Sequence, residues 1–228
     1  MQKAAIMGFG TVGGGVRDIL RKPFIQQKSQ LEIKYILDIR DFPDDPDHTL
    51  FTKDFSDILN DPEVTVVAEA MGGLHPAYEF TKDLLLAGKS VVTSNKELVA
   101  TYGTELLEIA ERKNVSYLFE ASVGGGIPII RPMTTCLAAN RIERIAGILN
   151  GTTNYILTEM FQKGKTFEEA LKDAQEKGYA ERNPAADVEG HDACRKIAIL
   201  ASLAWGKFVN YQKIPTEGIC DITSEDVR

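Results

Sequence analysis

The stretch KAAIMGFGTVGGGVRDILR, residues 3–21, joins an apolar run to a glycine-rich turn and an amphipathic segment. The pattern predicts a buried strand at 3–9, a turn at 10–15 and a helix at 12–21. Glycines in such a turn let the backbone approach a pyrophosphate, and the helix N-terminus attracts that anion through unpaired N–H groups. We therefore predict a dinucleotide site formed by Gly8, Phe9, Gly10, Thr11, Val12 and Gly13, although a turn that binds nothing has the same pattern.

Apolar runs alternate with helical patterns from this stretch to about residue 120. The predicted strands cover residues 31–38, 64–70, 90–93 and 115–120, and the predicted helices cover 54–60, 76–87 and 103–112. This alternation is typical of a parallel sheet with helices on both faces. The predicted fold class is α/β, with a Rossmann-type doubly wound parallel sheet.

The pattern changes beyond residue 120. Residues 141–149 (RIERIAGIL) alternate like a half-buried antiparallel strand, and 152–162, 167–177 and 190–206 have helical patterns. We predict a second, α+β domain with an open sheet. The expected domains are residues 1–125 for dinucleotide binding and residues 126–228 for substrate binding and catalysis.

Composition narrows the class of protein. The chain has 228 residues and a net charge of -7, which does not favour nucleic-acid binding. The apolar runs are shorter than a membrane span requires. Three widely spaced cysteines favour reduced thiols and hence a cytoplasmic protein.

An acid and a base follow the second predicted strand. Asp38 is its last residue, where a carboxylate accepts hydrogen bonds from the adenosine ribose of NAD. Arg40 lies where a cation meets the 2′-phosphate of NADP. The choice between NAD and NADP stays open with a slight lean to NAD, and Asp38 as an ordinary strand-end cap is the alternative.

Two further motifs lie at the ends of predicted strands. In TSNKE, residues 93–97, Thr93 ends the fourth strand and Lys96 follows it. Ligands of doubly wound sheets gather at the carboxyl ends of strands, so Lys96 is expected beside the cofactor rather than on a solvated surface. In EASVGGGIP, residues 120–128, three glycines expose carbonyl oxygens. Such a loop could bind a cation or act as a hinge, and spacing alone favours the hinge.

The second domain carries two polar motifs. NGTTNYI, residues 150–156, offers Thr152 and Thr153 at a helix start, either to a substrate carboxylate or as ordinary caps. GYAERNPAADVEGHDACRK, residues 178–196, contains the candidate acids Glu181, Asp187 and Asp192 and ends at Lys196. Asp192 and Lys196 are four residues apart and share a helix face. The pair could bind an amino-acid zwitterion and move a proton at its hydroxyl, and an exposed ion pair without function is the alternative.

Four blocks together resemble the homoserine dehydrogenase family. The longest is AQEKGYAERNPAADVEGHDACRK at 174–196, and the others are SNK at 94–96, EASVGGGIPII at 120–130 and NGTTNYIL at 150–157. The resemblance implies NAD- or NADP-dependent interconversion of L-homoserine and L-aspartate 4-semialdehyde, in the biosynthesis of threonine, methionine and isoleucine. It also implies a homodimer.

The resemblance implies a role for each matched residue. Lys196 corresponds to the acid/base lysine, Lys96 to the lysine between nicotinamide and substrate, and Asp187 to an acid that supports the active-site lysine. Glu181 and Asp192 correspond to the acids that hold the substrate amino group, and Gly151 and Thr152 to the substrate-binding turn. The carbonyls of Glu120, Val123, Gly125 and Ile127 correspond to a monovalent cation site, typically for sodium.

Members of the family extend well beyond the length of this chain, with a segment that returns to the nucleotide domain. We therefore expect the chain to be shortened relative to the family. The alternative to an active enzyme is an NAD(P)-binding sensor or an inactive fragment.

Overall fold

The structure is a computed structural model that describes residues 1–223, 225 and 226. The chain divides into two compact units, Met1–Arg131 and Pro132–Arg228. The division falls close to the predicted boundary between residues 125 and 126. Residues 224, 227 and 228 of the predicted second domain lie outside the described residues.

The first unit is built on a sheet of six parallel strands. These are β1 (Gln2–Met7), β2 (Leu31–Leu37), β3 (Phe51–Thr52), β4 (Val64–Glu69), β5 (Ser90–Thr93) and β6 (Tyr117–Leu118), in the spatial order β3-β2-β1-β4-β5-β6. The order runs outward in both directions from β1 and β4. A doubly wound sheet binds its ligands at such a switch point, outside the carboxyl ends of the strands. The predicted Rossmann-type sheet is confirmed.

Five helices pack on this sheet: α1 (Thr11–Leu20), α2 (Pro23–Ser29), α3 (Phe55–Leu59), α4 (Ala77–Leu86) and α5 (Lys96–Lys113). The core between helices and strands consists of fully buried apolar side chains, among them Ile6, Met7, Ile36, Leu84, Leu98 and Leu106. α5 begins seven residues before its predicted start at 103, because the side chain of Asn95 caps it by accepting the N–H of Leu98.

The second unit is helical. Its helices are α6 (Gly151–Lys163), α7 (Phe167–Glu176), α8 (Ala185–Val188) and α9 (His191–Trp205). Ile156 and Met160 of α6 pack against Ala170 and Ala174 of α7 in its core, together with Val188. A capping box between Thr166 and Glu169 starts α7. None of the helices in the described residues combines the length and the apolar character that a membrane crossing needs.

The open sheet predicted for the second unit is not formed among the described residues. Residues 141–149, named the extended segment, have no strand assignment. A strand needs a hydrogen-bonded neighbour, and alternation of apolar residues alone does not supply one. Two side chains of α9 instead hold the segment: Trp205 Nε1 donates to the carbonyl of Ile142 at 3.0 Å, and Lys196 Nζ donates to the carbonyl of Leu149 at 2.9 Å.

Candidate active site

The turn between β1 and α1 requires glycine at two positions. Gly8 has φ of 90°, and a Cβ there would lie 2.8 Å from the main chain of Ala70 and Met71. A Cβ on Gly13 would overlap the carbonyl oxygen of Gly8, so only glycine lets α1 pack this closely on β1. Around Gly10 the space is open. The turn thus offers room for an anion at the N-terminus of α1, and a pyrophosphate fits it.

The carboxylate of Asp38 is held by three groups, which are the N–H of Phe9, the main-chain N–H of Arg40 and the guanidinium of Arg40. Its Oδ2 accepts the N–H of Phe9 at 2.7 Å, and the guanidinium of Arg40 donates to both oxygens at 2.9 Å. Arg40 also donates to the carbonyl of Phe9 at 2.9 Å. The hydrogen bonds from Arg40 keep the pKa of Asp38 well below its usual range and outweigh burial, which acts in the opposite direction. Asp38 therefore carries a negative charge and orients both Arg40 and the glycine-rich turn.

A surface cavity of about 390 Å³ lies beside this pair, at the carboxyl end of β2. The rings of Phe42 and Phe51 stack at 4.7 Å, and both line the cavity. Arg40, His48 and Lys53 also line it. Lys53 pairs with Asp41 at 2.7 Å, so the cavity has charges of both signs. An aromatic wall beside cations suits a nucleoside or its phosphate.

Thr93 and Lys96 lie at the carboxyl end of β5. Thr93 is 2% exposed, and its hydroxyl donates to the carboxylate of Glu69. Lys96 is partly buried and opens α5, directly after the cap residue Asn95. Glu69 and Asn95 were not among the predicted site residues. Asn95 as a helix cap was readable from the sequence, whereas Glu69 reaches Thr93 only through the pairing of β4 with β5.

The glycine-rich loop at 122–128 lies in the first unit. The carboxylate of Glu120 accepts three main-chain N–H groups, from Ile129 at 2.6 Å, Ile130 at 2.7 Å and Arg131 at 2.8 Å. Burial raises the pKa of Glu120, but these three bonds outweigh it and the net shift is downward. The predicted cation ligands at Glu120, Val123, Gly125 and Ile127 are carbonyls of the same loop. Among the described residues, no cluster of three or more His, Cys, Asp or Glu side chains is arranged to hold a metal.

The second unit brings Asp187, Asp192 and Lys196 together through Asn150. Lys196 Nζ lies 2.8 Å from Oδ2 of Asp192, whose side chain is 2% exposed. Nδ2 of Asn150 donates to Asp187 at 2.7 Å and to Asp192 at 3.0 Å. The Asn150 carbonyl oxygen Oδ1 accepts the N–H of Thr153 and so caps α6. Asn150 lies in the quoted NGTTNYI motif, but its bridging role depends on contacts 37 and 42 residues away.

The start of α6 is linked to the loop that contains Glu181. The hydroxyl of Thr152 donates to the carbonyl of Tyr179 at 2.8 Å, and Thr152 is 8% exposed. Gly151 is the first residue of α6. Glu181 is exposed, and within the described part of the chain its carboxylate contacts neither Asp192 nor Lys196. The predicted roles of these residues toward a substrate stay predictions.

Two family profiles match consecutive parts of the chain. The profile of homoserine dehydrogenase covers residues 128–228, and that of the NAD-binding domain of homoserine dehydrogenase covers residues 8–120. The chain belongs to the homoserine dehydrogenase family. The resemblance found in the sequence is confirmed.

Individual homoserine dehydrogenases agree with the profiles. The enzyme from Synechocystis sp. is 45% identical over 99% of this chain and 53% of its own length. A crystal structure from Thiobacillus denitrificans superposes with a TM-score of 0.89 at 42% identity, over 99% of this chain and 54% of that one. A hyperthermophilic archaeal homoserine dehydrogenase in complex with NADPH superposes with a TM-score of 0.84 at 28% identity, over 76% of its length. The chain spans about half the length of the curated homoserine dehydrogenases it matches.

Proposed function

We propose that this chain catalyses the NAD- or NADP-dependent interconversion of L-homoserine and L-aspartate 4-semialdehyde. The observation that carries the proposal is the cluster of Lys196, Asp192, Asn150 and Asp187 in a chain of the homoserine dehydrogenase family. Asp192 and Asn150 are buried, and Lys196 and Asp187 are partly buried. Such a reaction belongs to amino-acid biosynthesis. A cytoplasmic location and a homodimer remain predictions from the family resemblance.

Lys196 is the proposed acid and base at the substrate hydroxyl. Two of its three N–H groups are used, one by Asp192 and one by the carbonyl of Leu149. Within the described residues the third has no partner, so it is available to a substrate oxygen. In the reductive direction the Lys196 ammonium donates a proton to the developing alkoxide, and in the oxidative direction the neutral Lys196 amine accepts the hydroxyl proton. Asp192 and Asn150 fix the position from which that transfer occurs.

Glu181 and Asp192 are the proposed partners of the substrate ammonium group. The role is supported for Glu181 because its side chain is exposed and has no cation partner among the described residues. The substrate carboxylate is assigned to the N-terminus of α6 at Gly151 and Thr152, where main-chain N–H groups and the helix dipole attract an anion.

The dinucleotide is assigned to the first unit. Its pyrophosphate would lie over Gly8–Gly13, its adenosine half beside Asp38 and Arg40, and its nicotinamide half beside Thr93 and Lys96. When bound, the nicotinamide ring accepts or donates the hydride. The family relative in complex with NADPH supports the use of a nicotinamide cofactor.

A monovalent cation such as sodium is proposed at the carbonyls of Glu120, Val123, Gly125 and Ile127. The support is the close approach within this loop, where a Cβ on Gly124 would overlap the carbonyl oxygen of Ile127. Thermal unfolding in sodium chloride and in choline chloride at equal ionic strength tests the site. A higher melting temperature in sodium is expected, and equal values would contradict the assignment.

A coupled absorbance assay at 340 nm tests the function. Purified chain is supplied with L-homoserine and NAD, and then with L-homoserine and NADP. Production of reduced cofactor with at least one of them is expected, and substitution of L-serine for homoserine serves as the substrate control. Cofactor binding without turnover would favour the NAD(P)-binding sensor.

A further inference from the structure

A network of hydrogen bonds begins at Glu69, which the proposed reaction does not use. Glu69 is the last residue of β4 and is 1% exposed. Because β4 lies between β1 and β5, its carboxyl end borders the switch point of the sheet. A buried carboxylate is costly unless its oxygens are hydrogen-bonded.

Each oxygen of Glu69 accepts one hydrogen bond. Oε1 accepts the N–H of Met71 at 2.8 Å, and Oε2 accepts the hydroxyl of Thr93 at 2.5 Å. One carboxylate thus joins the loop after β4 to the end of β5. Both segments border the place where the sheet binds its ligand.

The network continues from Thr93 into the start of α5. Oγ1 of Thr93 accepts the N–H of Asn95 at 2.9 Å. Nδ2 of Asn95 donates to the carbonyl of Gly73 at 2.6 Å, which returns to the loop after β4. The closed ring of contacts fixes the main chain immediately before Lys96, the residue assigned to the nicotinamide half of the cofactor.

We propose that Glu69 is a positioning residue for the nicotinamide half of the dinucleotide. It acts through Met71 and Thr93, which set the loop after β4 and the start of α5 in one arrangement. The adenosine half is assigned to the end of β2, which β1 separates from β4. Loss of Glu69 therefore weakens one half of the binding site and spares the other. The inference rests on the proposed function in taking a nicotinamide dinucleotide as the ligand.

Binding measurements on the purified chain test this role without any turnover. The affinities for NADPH and for 2′-phospho-ADP-ribose, which lacks the nicotinamide, are measured for wild type, Glu69→Ala and Glu69→Gln; NADH and ADP-ribose form the matching second pair. Glu69→Ala is expected to weaken the dinucleotide by about tenfold and the truncated ligand by less than about twofold. Glu69→Gln retains one acceptor and should give a smaller loss of the same kind.

Two further variants separate positioning from general stability. Thr93→Val removes the hydroxyl and should reproduce the loss seen in Glu69→Ala, whereas Thr93→Ser should restore binding. Lys89→Met is the matched control. Lys89 is 5% exposed, lies directly before β5 at the amino ends of the strands, and donates to the carbonyls of Asp61 and Val64. Its loss should lower the melting temperature and leave the ratio of the two affinities unchanged.

The outcomes are distinct. Equal weakening of both ligands, or of neither, in Glu69→Ala and Glu69→Gln overturns the positioning role. A wild type that binds the dinucleotide no more tightly than the truncated ligand also overturns it. If the ratio changes as expected while homoserine is not turned over, the role of Glu69 stands and the proposed function fails. If homoserine is turned over while the ratio stays unchanged, the proposed function stands and the role of Glu69 fails.

Discussion

The ammonium of Lys196 lies 2.8 Å from the carboxylate of Asp192, one turn earlier on α9. The side chains are 16% and 2% exposed, so this is not a solvated surface pair. An exposed pair at this spacing contributes about 0.3–0.5 kcal/mol, whereas removal of one partner from a buried pair leaves an uncompensated charge. The geometry therefore favours an ion pair that fixes the position of the Lys196 ammonium group.

Lys196→Ala tests the proton-transfer role. Loss of the acid/base group is expected to lower kcat by about 10²–10⁴-fold, with cofactor affinity within about twofold of wild type. Steady-state assays at 340 nm and cofactor fluorescence titration measure the two quantities. Lys207→Ala, an exposed lysine just beyond α9, is the control and should match wild type. Parallel losses of turnover and of cofactor binding would speak against the role.

Asn150→Ala tests the bridge between the two acids. It removes the donor shared by Asp187 and Asp192 and the cap of α6, so the free energy of unfolding should fall by about 1–3 kcal/mol. Turnover should also fall, because Asp192 loses one of the contacts that orient it toward Lys196. Chemical denaturation and the 340 nm assay provide the readouts. Asn154→Ala, at an exposed position of the same helix, should change neither.

Gly13→Ala tests the close packing of α1 on β1. The added methyl group would overlap the carbonyl oxygen of Gly8 and displace the start of α1. Dinucleotide affinity should fall by about tenfold or more, together with a lower melting temperature. Gly14→Ala is the matched control, since a Cβ there meets open space within the same helix. It is expected to stabilise the chain by up to about 1 kcal/mol; similar effects of both changes would contradict the packing argument.

Arg40→Ala tests cofactor choice. The change removes a cation from the end of β2 and its guanidinium bonds to both oxygens of Asp38, which keep only the main-chain N–H groups of Phe9 and of residue 40. We expect the affinity for NADPH to fall by about 10–100-fold, while that for NADH is unchanged or increased. Fluorescence titration with both cofactors gives the ratio, and Arg40→Lys should have an intermediate value. An unchanged ratio would exclude Arg40 as the residue that selects the cofactor.

Glu120→Gln tests the charge that binds the main chain at 129–131. Three N–H groups lower the pKa of Glu120 below its ordinary value of 4.5, despite the opposing effect of burial. Its stabilisation is therefore complete above about pH 4.5 and is lost as the pH falls toward the folded-state pKa. The difference in free energy of unfolding between wild type and Glu120→Gln should be constant near neutral pH and shrink below pH 4.5. A difference independent of pH would exclude this assignment.

Much of the first unit could be predicted because its signals are local. The apolar runs before Gly8 and before Asp38 form β1 and β2, and the glycine spacing fixes the turn between β1 and α1. β3 was missed because two residues carry no periodicity. The predicted start of α5 is seven residues too late because the apolar pattern after Asn95 is weak, and the helix begins at the cap that the Asn95 side chain provides.

In the candidate site, too, contacts between residues close in sequence could be predicted and contacts between distant residues could not. The pair of Asp192 and Lys196 follows from helical spacing alone, and the structure contains it. The bridge from Asn150 and the bond from Glu69 to Thr93 join residues far apart in sequence. No local pattern encodes such contacts, because they depend on which helices pack together and on the order of the strands. The open sheet predicted for the second unit is not formed among the described residues for a related reason. Alternation at 141–149 does not specify which strand would pair with it.

The two hydrogen bonds from α9 to the extended segment link the position of that segment to the position of Lys196. Trp205 and Lys196 bind the two ends of the segment. The hydrogen bond from Lys196 to Leu149 therefore holds both the segment and the ammonium group of the proposed catalytic lysine. Any molecule that docks along residues 141–149 and draws Leu149 away would withdraw one of the two anchors of the ammonium group. The position of the Lys196 ammonium group is thereby coupled to the position of Leu149.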